Sequence, residues 1–347
     1  MKNNKILFIS SFLSSKRGSL DVTESLIKRL EEDKVPIIFA SSFENKILRL
    51  LHIVYKIIFS KYDTIHISVY SGSGFNISIV SSFLAKFKNK KLILTLHGGR
   101  LNEFYEENPK KIERVFKRAN TILTPSKFLQ KYFINKGYTI DHLPNSLDLE
   151  KFQYNRENII DNSILWVRAF DEIYNPYLAV KIIYEVRKTI PNAKLTMIGP
   201  DRGILKNIKD LIKLLGIENA IEILGPINNN SLFKYYQSHK VFINTTKYES
   251  FGVALFEAAS CGVPIVSNNV GEIPYIWQNN SNILLVDNGD EKEFATKIIE
   301  LMSNSHFYNN ISEEGCKNAK LYEWSKIKPS LYKIFDLNEK TTRENLL

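Results

Sequence analysis

Residues 247–276 read KYESFGVALFEAASCGVPIVSNNVGEIPYI. Two glutamates, Glu249 and Glu257, are separated by seven residues, and Ser250, Phe251 and Gly252 follow the first. A short β-rich run at 241–244 ends just before them. Gly252 permits a tight turn, and the residues after it predict a helix from about Val253 to Ser260. The first turn of a helix leaves N–H groups without intrahelical partners, and the macrodipole favours an anion there. Strand, turn and helix start in this order make a seat for a diphosphate that needs no metal ion. Glu257, on the helix, is placed to accept hydrogen bonds from ribose hydroxyls. Glu249, before the turn, is placed to bind sugar hydroxyls. Two solvated glutamates on a surface helix can share the same spacing. The flanking SFG, EAxxCGxPIV and GEIP make the pattern specific.

Working outward, short apolar runs alternate with helix-length amphipathic stretches. Strands are expected at 6–10, 36–40, 64–68, 92–96, 121–124 and 139–143, and again at 164–167, 194–198, 221–224, 241–244, 264–267 and 283–286. This rhythm predicts parallel sheets covered by helices on both faces. The polar stretch 148–163 reads as a linker, so the expected domains are 1–155 and 156–323. Beyond them, Trp324, Ile327, Leu331, Ile334 and Phe335 fall at helical spacing. A terminal helix within 324–347 must bury that face somewhere, and the first domain is the candidate.

The 347 residues carry a net charge of +10 with 44% hydrophobic residues, an ordinary globular balance. The charge is uneven. Residues 1–150 hold 24 Lys and Arg against 14 Asp and Glu, and the remainder balances. Such asymmetry points to a phosphate-bearing partner: nucleic acid, anionic lipid or a lipid-pyrophosphate acceptor. A lysine-rich proteome leaves the same mark. There is no run of 18 apolar residues, so no membrane-spanning helix is expected. The apolar start at 5–13 reads as a strand rather than a signal peptide, because no small-residue cleavage site follows and Lys16 and Arg17 do. Cys261 and Cys316 lack metal-ligand spacing, and a reduced cytoplasm is the expected setting.

Around 249–264 the sequence resembles retaining glycosyltransferase family 4, the glycosyl transferases group 1, whose pattern E-x-F-G-x-x-x-x-E-A-x-x-x-G-x-P it matches. The resemblance implies a GT-B fold: two Rossmann-like α/β/α domains facing each other across a cleft. Two further stretches are similar. Residues 143–152 (LPNSLDLEKF) resemble the family's P-N-G-V-D-x-x-x-F, with Ser146 in place of the glycine. Gly199 and Gly225 stand where the family ends strands of its donor domain. The family then implies donor binding through Arg168, Gly225, Glu249, Ser250, Phe251, Gly252, Val253 and Glu257. It implies catalytic roles for His97, Glu249 and Arg168. Two departures stand out. The family's V-G-G-x-P-E is Val270, Gly271, Glu272, Ile273, Pro274, Tyr275 here. Its phosphate-gripping lysine is Tyr174, so Lys247 or Arg202 is the candidate second cation.

In the first half, His97, Gly98 and Gly99 follow an expected strand end, where ligands of open α/β sheets sit. Unaided, a satisfied loop histidine would be the reading. The family places a histidine here beside the sugar and the leaving phosphate. Arg17 and Gly18 stand where the family has a glycine-rich loop touching donor and acceptor. The segment Lys46–Phe59 carries Lys46, Arg49, His52 and Lys56 as a narrow basic stripe in an otherwise apolar helix. It reads either as a helix dipping into an anionic membrane surface or as a largely buried helix with a thin solvent face. The Gly-x-Gly within 71–75 lacks a third glycine and is no dinucleotide fingerprint. The acids of 287–290 read as a turn capping the next helix.

Together these readings predict a metal-independent enzyme without a cofactor. It would move a sugar from a nucleotide sugar, a UDP-sugar before a GDP-sugar, to a glycan or lipid-linked acceptor of capsule, lipopolysaccharide or glycolipid. The setting would be cytoplasmic or peripheral on the inner membrane face. No recognition helix or RNA-binding aromatic motif supports a nucleic-acid partner. An epimerase of the same fold, or a GT-B-like scaffold subunit that has lost donor binding, remains the rival.

Overall fold

The computed structural model describes residues 4–13, 22–97 and 100–337. Each short apolar run becomes a strand. In the first half these are β1 (Ile6–Ile9), β2 (Ile37–Ala40), β3 (Thr64–Val69), β4 (Lys91–Leu96), β5 (Thr121–Thr124) and β6 (Asp141–His142). In the second they are β7 (Ile160–Val167), β8 (Lys194–Ile198), β9 (Ile221–Gly225), β10 (His239–Asn244), β11 (Ile265–Asn268) and β12 (Leu284–Val286). They form two six-stranded sheets, ordered β2-β1-β3-β4-β5-β6 and β12-β11-β10-β7-β8-β9, and every strand pairing is parallel.

Both faces of each sheet are covered, as parallel sheets require. Successive side chains of a strand point to opposite faces. On β1, Leu7 and Ile9 enter one core while Ile6 and Phe8 enter another. On β10, Val241 and Ile243 join one cluster and Phe242 the other. Helix starts are fixed locally. Asn45 caps the helix Lys46–Phe59 by accepting from the N–H groups of Ile47 and Leu48. Asp290 caps Glu291–Ser303 through those of Lys292 and Glu293, which is the role expected of the 287–290 acids.

The chain divides into two units at Ser146/Leu147, not near residue 155. The stretch expected to be a linker is anchored in the second unit. Leu149 and Phe152 are buried in its core, and the Arg156 guanidinium donates to the carbonyls of Tyr236, Gln237 and His239. Polar composition misled here because the anchoring residues are few and spaced. The second unit ends at Glu323, and the helix Trp324–Ile334 belongs to the first. Its Ile327, Leu331 and Tyr332, with Phe335, close over Ile6, Phe8, Ile93 and Leu123. Lys328 and Tyr332 both reach Asp33, each at 2.9 Å. Among the described residues no helix is long and apolar enough to cross a membrane.

Candidate functional site

The order of the second sheet sets β7 beside β10, at the point where the strand sequence reverses direction. Connections leave the carboxyl ends of two such strands to opposite sides, and the gap between them takes ligands. Arg168 follows β7, and the loop to Gly252 follows β10. Residues far apart in sequence therefore meet: Arg168 Nη2 donates to Glu249 Oε2 at 2.6 Å. Their side chains are 13% and 12% exposed, so the pair is shielded yet still reachable. The Tyr174 ring lies 5.6 Å from the same guanidinium. Arg168 Nε is buried without a hydrogen-bond partner, which leaves donor capacity at the site.

Backbone packing dictates two of the glycines. A Cβ on Gly199, at the exit of β8, would sit 1.8 Å from the Arg168 carbonyl oxygen. One on Gly271, where φ is +57°, would sit 2.1 Å from that of Glu249. The Glu272 N–H donates to this same carbonyl at 2.8 Å. The altered Val-Gly-Glu stretch thus holds Glu249 in place through its one glycine and a backbone bond. Sequence reasoning missed the supports of the β10 loop. Asn268 Nδ2 donates to the carbonyls of Thr245 and Thr246, and Trp166 Nε1 donates to Thr245 Oγ1. Thr245 Oγ1 in turn donates to the Tyr174 carbonyl at 2.8 Å. The paired threonines right after an apolar strand were the available signal.

Gly252 takes φ +85° and starts the helix Val253–Ser260. Val253 is exposed at the mouth, while Ala254 through Ser260 are buried. Glu257 sits on this helix, only 8% exposed, and accepts from the Tyr236 hydroxyl at 2.9 Å. Burial pushes its carboxyl up to about 7, against the opposing pull of the Tyr236 bond and of Arg168. Tyr236, on the helix Asn229–Ser238, was not foreseen. Nothing in its sequence spacing links it to Glu257.

Other candidates fall into place around this centre. Ser250 is exposed and Phe251 buried, its ring stacked at 4.8 Å on Phe256. Gly225 ends β9 with φ +68°, and its carbonyl accepts from Gly199 N at 2.9 Å. Neither candidate second cation reaches the pair. Lys247 turns to Glu172 at 3.5 Å, and Arg202 is exposed.

In the first unit, His97 follows β4 and stacks on Tyr70 at 5.4 Å. Burial lowers its ring to about 4, so it is neutral at pH 7. His97 borders a cavity of about 40 Å³ together with His66, Thr95, Thr23, Asn145 and Ser146, which is room for a water molecule or two. His66 Nε2 meets Thr95 Oγ1 at 2.7 Å, and its Nδ1 is buried without a partner. Arg17, Gly18, Gly98 and Gly99 lie outside the described residues.

Known proteins are similar to this chain in sequence and in fold. Residues 150–318 match the family model of the glycosyl transferases group 1. Over this stretch, which is most of the second unit, the chain is similar to that family. Among curated relatives, an uncharacterized 41.2 kDa protein in the cps region of Klebsiella pneumoniae is 27% identical over 281 residues, covering 75% of this chain and 74% of that protein. An uncharacterized glycosyltransferase of Methanocaldococcus jannaschii is 24% identical over 255 residues, covering 73% and 71%. Among solved structures, HepE of Anabaena in complex with UDP and glucose superposes with a TM-score of 0.74 at 16% identity, over 96% of this chain and 99% of that one. The two parallel six-stranded sheets of this chain are those of the GT-B fold.

Proposed function

We propose that this glycosyltransferase moves a sugar, with retention at the anomeric carbon, from a UDP-sugar to a glycan or lipid-linked acceptor in cell-surface polysaccharide synthesis. One observation carries the reading: Arg168, Glu249 and the helix start after Gly252 converge at the β7/β10 gap, with Glu257 one turn deeper. UDP is favoured because solved structures of this fold hold UDP or UDP-glucose. A polysaccharide product is favoured by the relative named for a cps region.

In the transfer, the bond between the sugar's anomeric carbon and the diphosphate oxygen breaks, an acceptor hydroxyl oxygen bonds to that carbon and gives its proton to the departing diphosphate, and negative charge gathers on the leaving oxygen as the old bond opens. The Arg168 guanidinium and the first-turn N–H groups after Gly252 meet that charge from fixed positions. No divalent ion is required in this scheme. Glu257 accepts from the ribose and Glu249 from the transferred sugar. In the free protein Glu249 occupies Arg168, so a donor exchanges one anion for another on that guanidinium. This spares the site a buried, unpaired arginine between turnovers. His97, neutral and stacked on Tyr70, gives the first unit a hydrogen-bonding group rather than a cation.

Thermal unfolding with UDP, GDP, ADP and their sugars, in EDTA, tests the scheme. A ligand that binds only the folded state raises the melting temperature with its concentration. UDP-sugars are expected to stabilise most. Stabilisation seen only after Mn²⁺ is added excludes the metal-free site, and none by any nucleotide favours the scaffold reading.

A further inference from the structure

The helix Lys46–Phe59 inverts the usual arrangement. Only Ile53 and Ile57 are buried, while Ile47, Leu48, Leu51, Tyr55, Ile58 and Phe59 are exposed, Phe59 at 69% and Ile47 at 71%. Spacings of three and four place these residues on one outward stripe. The basic residues do not form that outer face. Arg49 is tied back to the carbonyls of Phe43 and Glu44, and His52 to Ser41 Oγ, which sets them along its flank. The neighbouring helix Phe75–Phe87 adds Phe83 and Phe87, the latter 81% exposed. Scattered exposed apolar residues need no explanation, but a contiguous set of aromatic and branched side chains marks an interaction surface.

Charge decides what covers it. Between Asn45 and Arg100 the sequence holds nine lysines and arginines and one acid, Asp63. Lys88 donates to the carbonyls of Ile57 and Ile58, the last turn of the apolar helix, and Lys88 and Lys90 both lie over the Tyr62 ring. The apolar stripe therefore ends in a cluster of ammonium groups. A second copy of this face would set cation against cation. An anionic bilayer offers acyl chains for the stripe and phosphates for its rim.

We propose that the first unit seats on anionic membrane through the stripe of Lys46–Phe59 and the Phe83/Phe87 edge of Phe75–Phe87. The helix lies in the interface plane, with its apolar side among the upper acyl carbons. The lysines at its end face the headgroups, where their attraction fades beyond a screening length of about 8–10 Å.

Sedimentation of the full chain with phosphatidylcholine vesicles, with and without phosphatidylglycerol, tests this. Binding is expected only when phosphatidylglycerol is present, and it should weaken as salt is added. Leu51→Ser/Phe59→Ser/Phe87→Ser should lower vesicle affinity about tenfold or more. Lys56→Ser and Lys90→Ser should each lower it by about fivefold. The melting point and its rise with UDP, read on the same samples, should stay as in the unchanged protein, so a failed nucleotide site is told apart from a failed membrane site. Equal binding to neutral vesicles, or none to either, overturns the proposal. So does a dimer in light scattering that the triple apolar variant dissociates, because the face then belongs to a second copy.

Discussion

Two helices of this chain are built mostly from apolar residues and end in opposite environments. Val253–Ser260 is buried on all sides from Ala254 onward, whereas Lys46–Phe59 buries two residues and turns its apolar stripe outward. The first sits between sheet and neighbouring helix, with Phe256 wedged against Phe251, Trp277 and Tyr322 at 4.6–5.1 Å. The second flanks the helix Phe75–Phe87, which after Phe75 buries only small residues: Ser78, Ser81, Ser82 and Ala85. Apolar composition thus says that a helix will leave water, not which neighbour it will leave water for.

The sharpest way to break this contrast is a pair of truncations. Phe256→Ala removes a fully buried ring and is expected to cost about 3–5 kcal/mol in urea unfolding. Leu51→Ala, on the outward stripe, should stay within about 0.5 kcal/mol. Similar losses for the two would mean that the stripe is core.

The next effect concerns the charged end of the buried helix's site. Glu249→Gln frees Arg168 from its carboxylate. Bare UDP is then expected to bind several-fold tighter by calorimetry, about 1 kcal/mol, while sugar transfer to any working acceptor drops. Weaker UDP binding would show that the carboxylate helps to place the guanidinium rather than competing for it.

A pH series probes how deep Glu257 lies. Its carboxyl ionises near 4.5 in the unfolded chain and near about 7 in the folded one. The folded state holds the extra proton between those values, so this group's contribution to stability falls as pH rises from about 4.5 to about 7. A ribose hydroxyl is accepted best by the ionised form, so UDP-glucose should bind more tightly over the same rise, by up to about tenfold per unit. The doubly esterified diphosphate of that probe adds no titration of its own there. Glu257→Gln should flatten the profile, and an unchanged slope would assign the titration to another group.

Tyr174→Lys is the smallest effect. A second cation beside the phosphates is worth about 1 kcal/mol at a partly exposed position. The lost ring contact with Arg168 takes back about 0.5–1 kcal/mol. UDP affinity should therefore rise by less than about fivefold. A loss would mean that the ring is what aligns Arg168.

Much of this was legible in the sequence alone. All twelve strands were, because parallel strands buried on both faces leave short apolar runs between helix-length stretches. The Glu249–Glu257 motif was too, because its parts are neighbours in sequence. What escaped reading depends on long-range closure. Arg168 meets Glu249 only through the β7/β10 pairing. Tyr236 finds Glu257 only once two helices pack. Which side of Lys46–Phe59 turns outward is decided by the long-range packing that buries Ile53 and Ile57, and the unit boundary by two buried side chains, Leu149 and Phe152, in a polar stretch.

The helix Trp324–Ile334 has one more consequence, for the order in which the molecule is made. The face formed by Ile6, Phe8, Ile93 and Leu123 is covered by Ile327, Leu331, Tyr332 and Phe335. On the ribosome the first residues emerge long before those that cover them. The nascent chain carries that face open while the whole second unit, Leu147–Glu323, is synthesised and free to fold. The half translated first is thus finished last, and a transcript cut short before codon 324 releases a product with a complete second unit and an uncovered first one.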